Sequence, residues 1–175
     1  MADSSSAPKV ERVPVIVRET RPDDFGAIIE MCGAVDASAH PWKTEQLQSH
    51  HALFPEGQFV ALDAVTGAML GMAASLIVLW DDYEAQGEWR GFTDHGMFTN
   101  HDPERGRTLY GAEVMAIPSA QGRGVGTALY RARRELAERL GLLRIRAGSR
   151  LRGYGTYANE LKPEQYVLRV VRNEL

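Results

Sequence analysis

Between Leu109 and Gly141 the chain reads LYGAEVMAIPSAQGRGVGTALYRARRELAERLG, and few folds accommodate that order. Tyr110 to Ile117 is short, largely apolar and bounded by Gly111 and Pro118, the mark of a mostly buried strand. Gln121-Gly122-Arg123-Gly124-Val125-Gly126 then places glycine at every second position, so the backbone can take positive φ and a ligand can approach bare main chain. Val125, Leu129, Ala132, Leu136 and Leu140 follow at helical spacing, while Arg131, Arg133, Arg134, Glu135, Glu138 and Arg139 mostly fill the other faces and Gly141 is placed to end the helix. The expected order is strand, glycine turn, amphipathic helix. The first N–H groups of such a helix lack intrahelical acceptors, and the aligned peptide dipoles add roughly half a positive charge. That terminus suits phosphate.

Two familiar phosphate loops do not fit. No Lys-Ser/Thr pair follows the last glycine, which excludes the Walker pattern, and Thr127 follows GxGxG where the dinucleotide fingerprint needs GxGxxG. The spacing is Q/R-x-x-G-x-G/A. On these residues the chain resembles the GNAT superfamily of acetyl-CoA-dependent N-acetyltransferases, in which this turn joins the fourth strand to the third helix and binds pyrophosphate. The resemblance implies an α/β fold with a mixed central sheet flanked by helices, and acetyl-CoA as co-substrate. It places the pyrophosphate on Gly122, Arg123, Gly124, Val125, Gly126 and Thr127, with Gln121 buttressing the turn. The pantetheine would pair with the main chain of Val114, Met115 and Ala116 as an added strand, where a backbone N–H can also stabilise an oxyanion.

With 175 residues and 44% of them hydrophobic, the chain can build one domain with a substantial core. A net charge of −3 argues against a general nucleic-acid binder, yet Gln121 to Arg152 holds nine arginines against two glutamates, a net +7. That excess is either a solvated helix face and loop or a cationic rim for the phosphates of CoA. A lone cysteine, Cys32, allows no internal disulfide and agrees with a cytoplasmic location. Met1 to Arg12 is Ser-rich without an apolar run, so it reads as a flexible tail ahead of a domain spanning residues 13–175, and no membrane anchor is expected.

In chain order, Val13 to Glu19 reads as a strand, and a helix beginning near Asp23 aligns Phe25, Ile28, Ile29 and Cys32 on one apolar face. Trp42 to Leu53 reads as a second helix with Thr44 as N-cap. Gln58 to Asp63 and Gly71 to Leu79 form a hairpin. The long connection from Trp80 to Thr108 reads as a lid or subunit contact. His40, His50 and His51 are expected at the surface or half-buried, and His95 and His101 as solvated loop residues. The first three have no third histidine or carboxylate at a ligand spacing; His95 and His101, with aspartates nearby, could suggest a metal, but the solvated-loop reading is preferred and no metal site is expected. Leu142 to Ala147 should be a fifth strand, followed by a short helix over Thr156 to Leu161. Another helix, starting at Pro163, has Tyr166, Val167, Val170 and Val171 as a core-packing stripe.

The long aromatic insert, LYGAEV, AGSRLRGY and EQYV together resemble the GNAT domain found fused to carbon-nitrogen hydrolases or standing beside them. Against the superfamily pattern, the C-terminal helix and last two strands are lacking after Leu175, so the domain reads as C-terminally incomplete. The helix that often carries a proton-donating tyrosine goes with them, and Tyr154, Tyr157 and Tyr166 do not inherit that role. A longer natural chain or a homodimer partner is expected to supply the missing layer beside the fifth strand.

The implied chemistry is direct transfer of acetyl from acetyl-CoA to an amine, small-molecule or protein. An ammonium with a pKa of about 10.4 requires a base. Glu113 serves directly or through water, or else is a carboxylate held structurally; Asp81 and Asp82 are fallback bases. The competing reading is an acyl-CoA-binding module that regulates or recruits a hydrolase-like partner without turnover.

Overall fold

A computed structural model describes residues 14–35, 41–80, 88–149 and 151–175. Five strands, β1 (Val15–Glu19), β2 (Gln58–Asp63), β3 (Met69–Val78), β4 (Thr108–Ala116) and β5 (Arg144–Ala147), lie in one sheet in chain order. The first four are antiparallel to their neighbours, and β5 is parallel to β4. A parallel pair needs a crossover, and α4 (Val125–Arg139) supplies it. The expected mixed α/β sheet flanked by helices is the architecture found.

The strands of the sheet's middle are buried on both faces because helices cover both. One face packs against α1 (Phe25–Val35), α2 (Thr44–Leu53) and α3 (Trp89–Thr93), through Ile28, Met72, Leu76, Val78, Phe92 and Phe98 among others. The other packs against α4, through Ala73, Ile77, Leu109, Val125, Leu129 and Leu136. From Met72 to Val78 the alternation on β3 is regular: Met72, Ala74, Leu76 and Val78 meet the α1 side, Ala73 and Ile77 the α4 side.

On β4 it is not. Ser75 pairs with Gly111, but Ala74 pairs with Glu113, so Ala112 is an extra residue in a β-bulge. Before the bulge the odd-numbered Leu109 packs on the α4 side; after it the even-numbered Val114 and Ala116 do, and Met115 moves to the α1 side. A single inserted residue thus reverses which side chains face which layer.

Several expectations need correction. Thr44 is the first helical residue of α2 rather than its cap, which is the extended Lys43, whose N–H is accepted by Gln46 Oε1 at 2.9 Å. Two short helices close the described chain. The first, α5, spans Tyr154–Tyr157 rather than Thr156 to Leu161, because Gly153 turns the chain into it with φ +77°. The second, α6 (Pro163–Val171), buries Tyr166 but leaves Val167, Leu168, Val170 and Val171 exposed, so its apolar stripe is not core. His50 is 1% exposed, well inside the core. The half-buried His101 stacks on Phe54 and accepts the Ile77 N–H on Nδ1 at 3.0 Å, which ties the insert to β3. Cys32 has the expected core position, and burial raises its thiol pKa. The tail, His40, Asp81 and Asp82 lie outside the described residues.

Candidate active site

The glycine turn is built as its sequence requires. Gly122 and Gly124 have φ of +79° and +86°, and a Cβ on Gly122, Gly124 or Gly126 would meet nothing within 4 Å. The turn therefore shows bare main chain to open space. Gly124 caps α4, so the N–H groups of Val125, Gly126 and Thr127 are those that a helix start leaves without intrahelical acceptors. Upstream, Pro118–Ala120 forms a 3-10 turn, and the N–H of Gln121 is accepted by the Pro118 carbonyl.

Arg123 is turned away from that opening. Its N–H goes to the Ala120 carbonyl, and its guanidinium pairs with Asp63 at 3.1 Å. The Asp63 carboxylate also accepts the N–H groups of Thr66 and Val65, and these hydrogen bonds, followed by Arg123, hold its pKa below the usual carboxylate range. Arg123 thus fastens the turn to the β2–β3 hairpin. Of the other arginines in the basic segment, Arg139 approaches Glu56 at 3.6 Å, Arg146 lies over Trp80, and Arg133 is buried.

The second feature is the parting of β4 from β5. Their pairing runs from Thr108↔Arg144 to Gly111↔Ala147, while β4 continues against β3 as far as Ala116. Beyond Gly111, no described strand pairs with this edge of β4, which is open among the described residues. The Ile117 N–H is directed to Leu70 of the hairpin side, so backbone alternation turns the N–H groups of Val114 and Ala116 to that open edge. Val114 N–H there reaches only its neighbour's carboxylate, Glu113 Oε1, at 3.1 Å.

The same alternation puts Glu113 with Met115, on the α1 side of the sheet, half-buried. Its charge reaches the Cys32 thiol, adding to the upward push from burial. Met115, Val114 and Ala116 lie in line between Glu113 and the glycine turn, so the structure gathers the sequence-derived site residues along one edge of β4 and the start of α4. The wall beside them comes from the insert. Trp89 Nε1 donates to the Ala112 carbonyl at 2.8 Å, and its ring leans on Trp42. Tyr154 and Tyr166 donate their hydroxyls to the Leu161 and Arg152 carbonyls, which leaves both tyrosines engaged away from β4.

Sequence reasoning missed Arg133, which lies directly beneath Glu113 and was assigned to an outer face of α4. A signal was present, because residue 133 falls four after Leu129 and three before Leu136, on the buried stripe itself. Among the described residues no cluster of three or more His, Cys, Asp or Glu side chains is placed to hold a metal, and no helix is long and apolar enough to cross a membrane.

This arrangement has known counterparts. A probable hydrolase of Bacillus subtilis, YhcX, is 37% identical over 161 residues, which is 92% of this chain and 31% of that protein. The uncharacterized N-acetyltransferase YkwB of the same organism is 35% identical over 126 residues, covering 72% of this chain and 54% of the relative. The chain therefore spans about a third and about half of these two relatives. The GphF GNAT-like decarboxylase in complex with isobutyryl-CoA shares the fold with a TM-score of 0.63 at 20% identity, over 87% of this chain and 75% of its own. The model of the acetyltransferase (GNAT) family matches residues 28–157, and with a sheet that parts at β4 and a glycine turn opening α4, the chain belongs to that family.

Proposed function

We propose that the chain transfers an acetyl group from acetyl-CoA directly to an amine. The observation that carries this reading is the alignment of two sets of donors that no described strand or helix turn accepts: the open-edge N–H groups of Val114, which meets only its neighbour's carboxylate, and Ala116, and the first N–H groups of α4 behind Gly122 and Gly124. A ligand with an extended amide chain at one end and a pyrophosphate at the other matches both. Val114, Met115 and Ala116 pair with the pantetheine. Gly122, Gly124, Val125, Gly126 and Thr127 hold the pyrophosphate, with Gln121 and Arg123 bracing the turn.

The amine approaches from the α1 side, where Glu113 stands. Freeing an amine of pKa about 10.4 at neutral pH costs roughly 4.6 kcal/mol, which a positioned base offsets by taking the proton directly or through water. The amine nitrogen then attacks the thioester carbon, the carbonyl oxygen gains charge against the Val114 N–H, and the C–S bond breaks, the departing CoA thiolate taking up, directly or through water, the proton that the nitrogen loses as it becomes an amide. A ligand oxygen takes the place of the Glu113 carboxylate on that N–H.

Release of free thiol across a panel of small amines and peptide N-termini, with calorimetry for acetyl-CoA, tests the proposal. Turnover on at least one amine is expected. The similarity to a probable hydrolase three times as long favours one second reading, a CoA-binding module serving a hydrolase-like partner. Tight acetyl-CoA binding without turnover on any amine would select it.

A further inference from the structure

Arg133 is 1% exposed, the most completely buried charged side chain among the described residues. Its Nε donates to Ser75 Oγ at 2.9 Å, and its Nη2 donates to the carbonyls of Ala74 at 3.1 Å and Glu113 at 2.8 Å. A Cβ on Gly111 would stand 2.7 Å from Nη1, so that glycine is what lets the guanidinium lie flat on the sheet. Ala74, Ser75, Gly111 and Glu113 are the four residues that frame the β4 bulge. Among the described residues no carboxylate stands within ion-pair distance of Arg133, and its Nη1 has no hydrogen-bond partner.

Burying a guanidinium without a counter-charge is expensive, and burial does push its pKa down, against the raising influence of Tyr130 and Glu113. An apolar residue on this helical stripe would meet the needs of packing at less cost. What an apolar residue cannot do is satisfy two carbonyls that the bulge displaces from the regular ladder. Without the bulge, the parity of Leu109 and Gly111 would continue through β4. Glu113 would point into α4, and the Val114 N–H would turn from the open edge toward β3.

We propose that Arg133 is a positioning residue for acyl transfer: by holding the β4 bulge it sets Glu113 on the acceptor side and the Val114 N–H on the open edge. This rests on the acetyl-transfer reading above. Its hydrogen bonds go to Ala74, Ser75 and Glu113 and none to the glycine turn, so Arg133 acts on the reaction through the bulge.

The test compares Arg133→Met, Arg133→Lys and Gly111→Ala, the last of which pushes on Nη1 without removing the cation. In Arg133→Met, kcat should fall about 100-fold, the range of a misplaced general base, while acetyl-CoA affinity should fall only about 10-fold, because the pantetheine loses the Val114 N–H but the pyrophosphate turn keeps its donors. Adding Glu113→Gln to Arg133→Met should lower kcat little further, because the base is already out of place. Arg133→Lys should recover part of the rate. Where Arg133→Met fails to fold, Gly111→Ala should show the same division between binding and rate. The amide resonance of Val114 should shift in Arg133→Met and move back in Arg133→Lys, a readout independent of activity. An unchanged kcat and an unmoved Val114 resonance in a folded variant would overturn the proposal, as would parallel losses of melting temperature, affinity and rate. If the unaltered protein acetylates no amine, the acetyl-transfer reading fails, and the Val114 resonance alone then decides whether Arg133 sets the bulge.

Discussion

Replacing Gly126 by alanine should make the protein more stable and a poorer binder of acetyl-CoA at once. Gly126 is the second residue of α4, outside the positive-φ glycines, and an added Cβ meets no atom within 4 Å. The methyl group therefore strains nothing in the unliganded protein and removes backbone freedom from the unfolded chain, a gain of about 0.5–1 kcal/mol. In a domain of this size that raises the melting temperature by about 1–4 °C. The same methyl group occupies the space through which an anion must approach the N–H groups of residues 125–127. Losing one charge-assisted hydrogen bond costs about 1.5–3 kcal/mol, or about 10- to 150-fold in affinity. Differential scanning calorimetry and titration calorimetry with acetyl-CoA read the two effects separately. Gly124→Ala is a poor substitute, because its φ of +86° would strain any side chain and lower stability as well. A Gly126→Ala protein that is more stable and binds acetyl-CoA as tightly as before would refute the assignment of the turn to pyrophosphate.

Glu113→Gln should leave acetyl-CoA affinity unchanged and lower kcat about 100-fold near neutral pH, with the gap closing as the pH approaches the amine's own pKa; pH–rate profiles of both proteins check this, and equal rates at pH 7 would remove Glu113 from the mechanism. Burial lowers the His50 pKa to about 4, against the raising hydrogen bond to the Gly96 carbonyl. Its neutral form belongs to the folded state, so its contribution is complete above the unfolded value of about 6.5 and is lost as pH falls from there toward 4, about 3 kcal/mol in all. Urea midpoints at pH 7 and pH 4.5 should show this loss in the unaltered protein and a smaller one in His50→Gln.

The elements that were legible in sequence are those with a strong local rule. The moderate alternation of β2, the continuous apolar run of β3, the α4 stripe and the glycines at every second position are each local patterns, and the elements they announce appear where expected. The bulge was not legible, because TLYGAEVMA is apolar or small on both faces apart from Glu113, and a one-residue slip leaves no mark on such a pattern. Arg133 and His50 were misjudged for a related reason. Composition ranks arginine and histidine as surface residues, but both stand on buried helical stripes and find carbonyl acceptors from other segments, at Glu113 and Gly96, which no local window contains. The end of α5–α6 erred the other way: its stripe is apolar, yet nothing described covers it.

On the α1 side of the sheet, α2 holds the insert through three successive carbonyls. Gln46 Nε2 donates to His95 O at 3.0 Å, His50 Nε2 bonds Gly96 O at 2.7 Å, and Ser49 Oγ donates to Met97 O at 2.6 Å, while the His50 ring stacks on Phe98. The clamped segment carries positive φ at Asp94, His95, Gly96 and Phe98, a path that a free loop would abandon. Residues 46, 49 and 50 form one face of a rigid helix, so the segment cannot fray one residue at a time. Motion on the microsecond-to-millisecond scale is then a displacement of α2 and the insert as one plate, and relaxation dispersion at 46–50 and 95–98 should share a single exchange rate. On that expectation the α1 side of the sheet moves as a panel, with Trp89 at its edge.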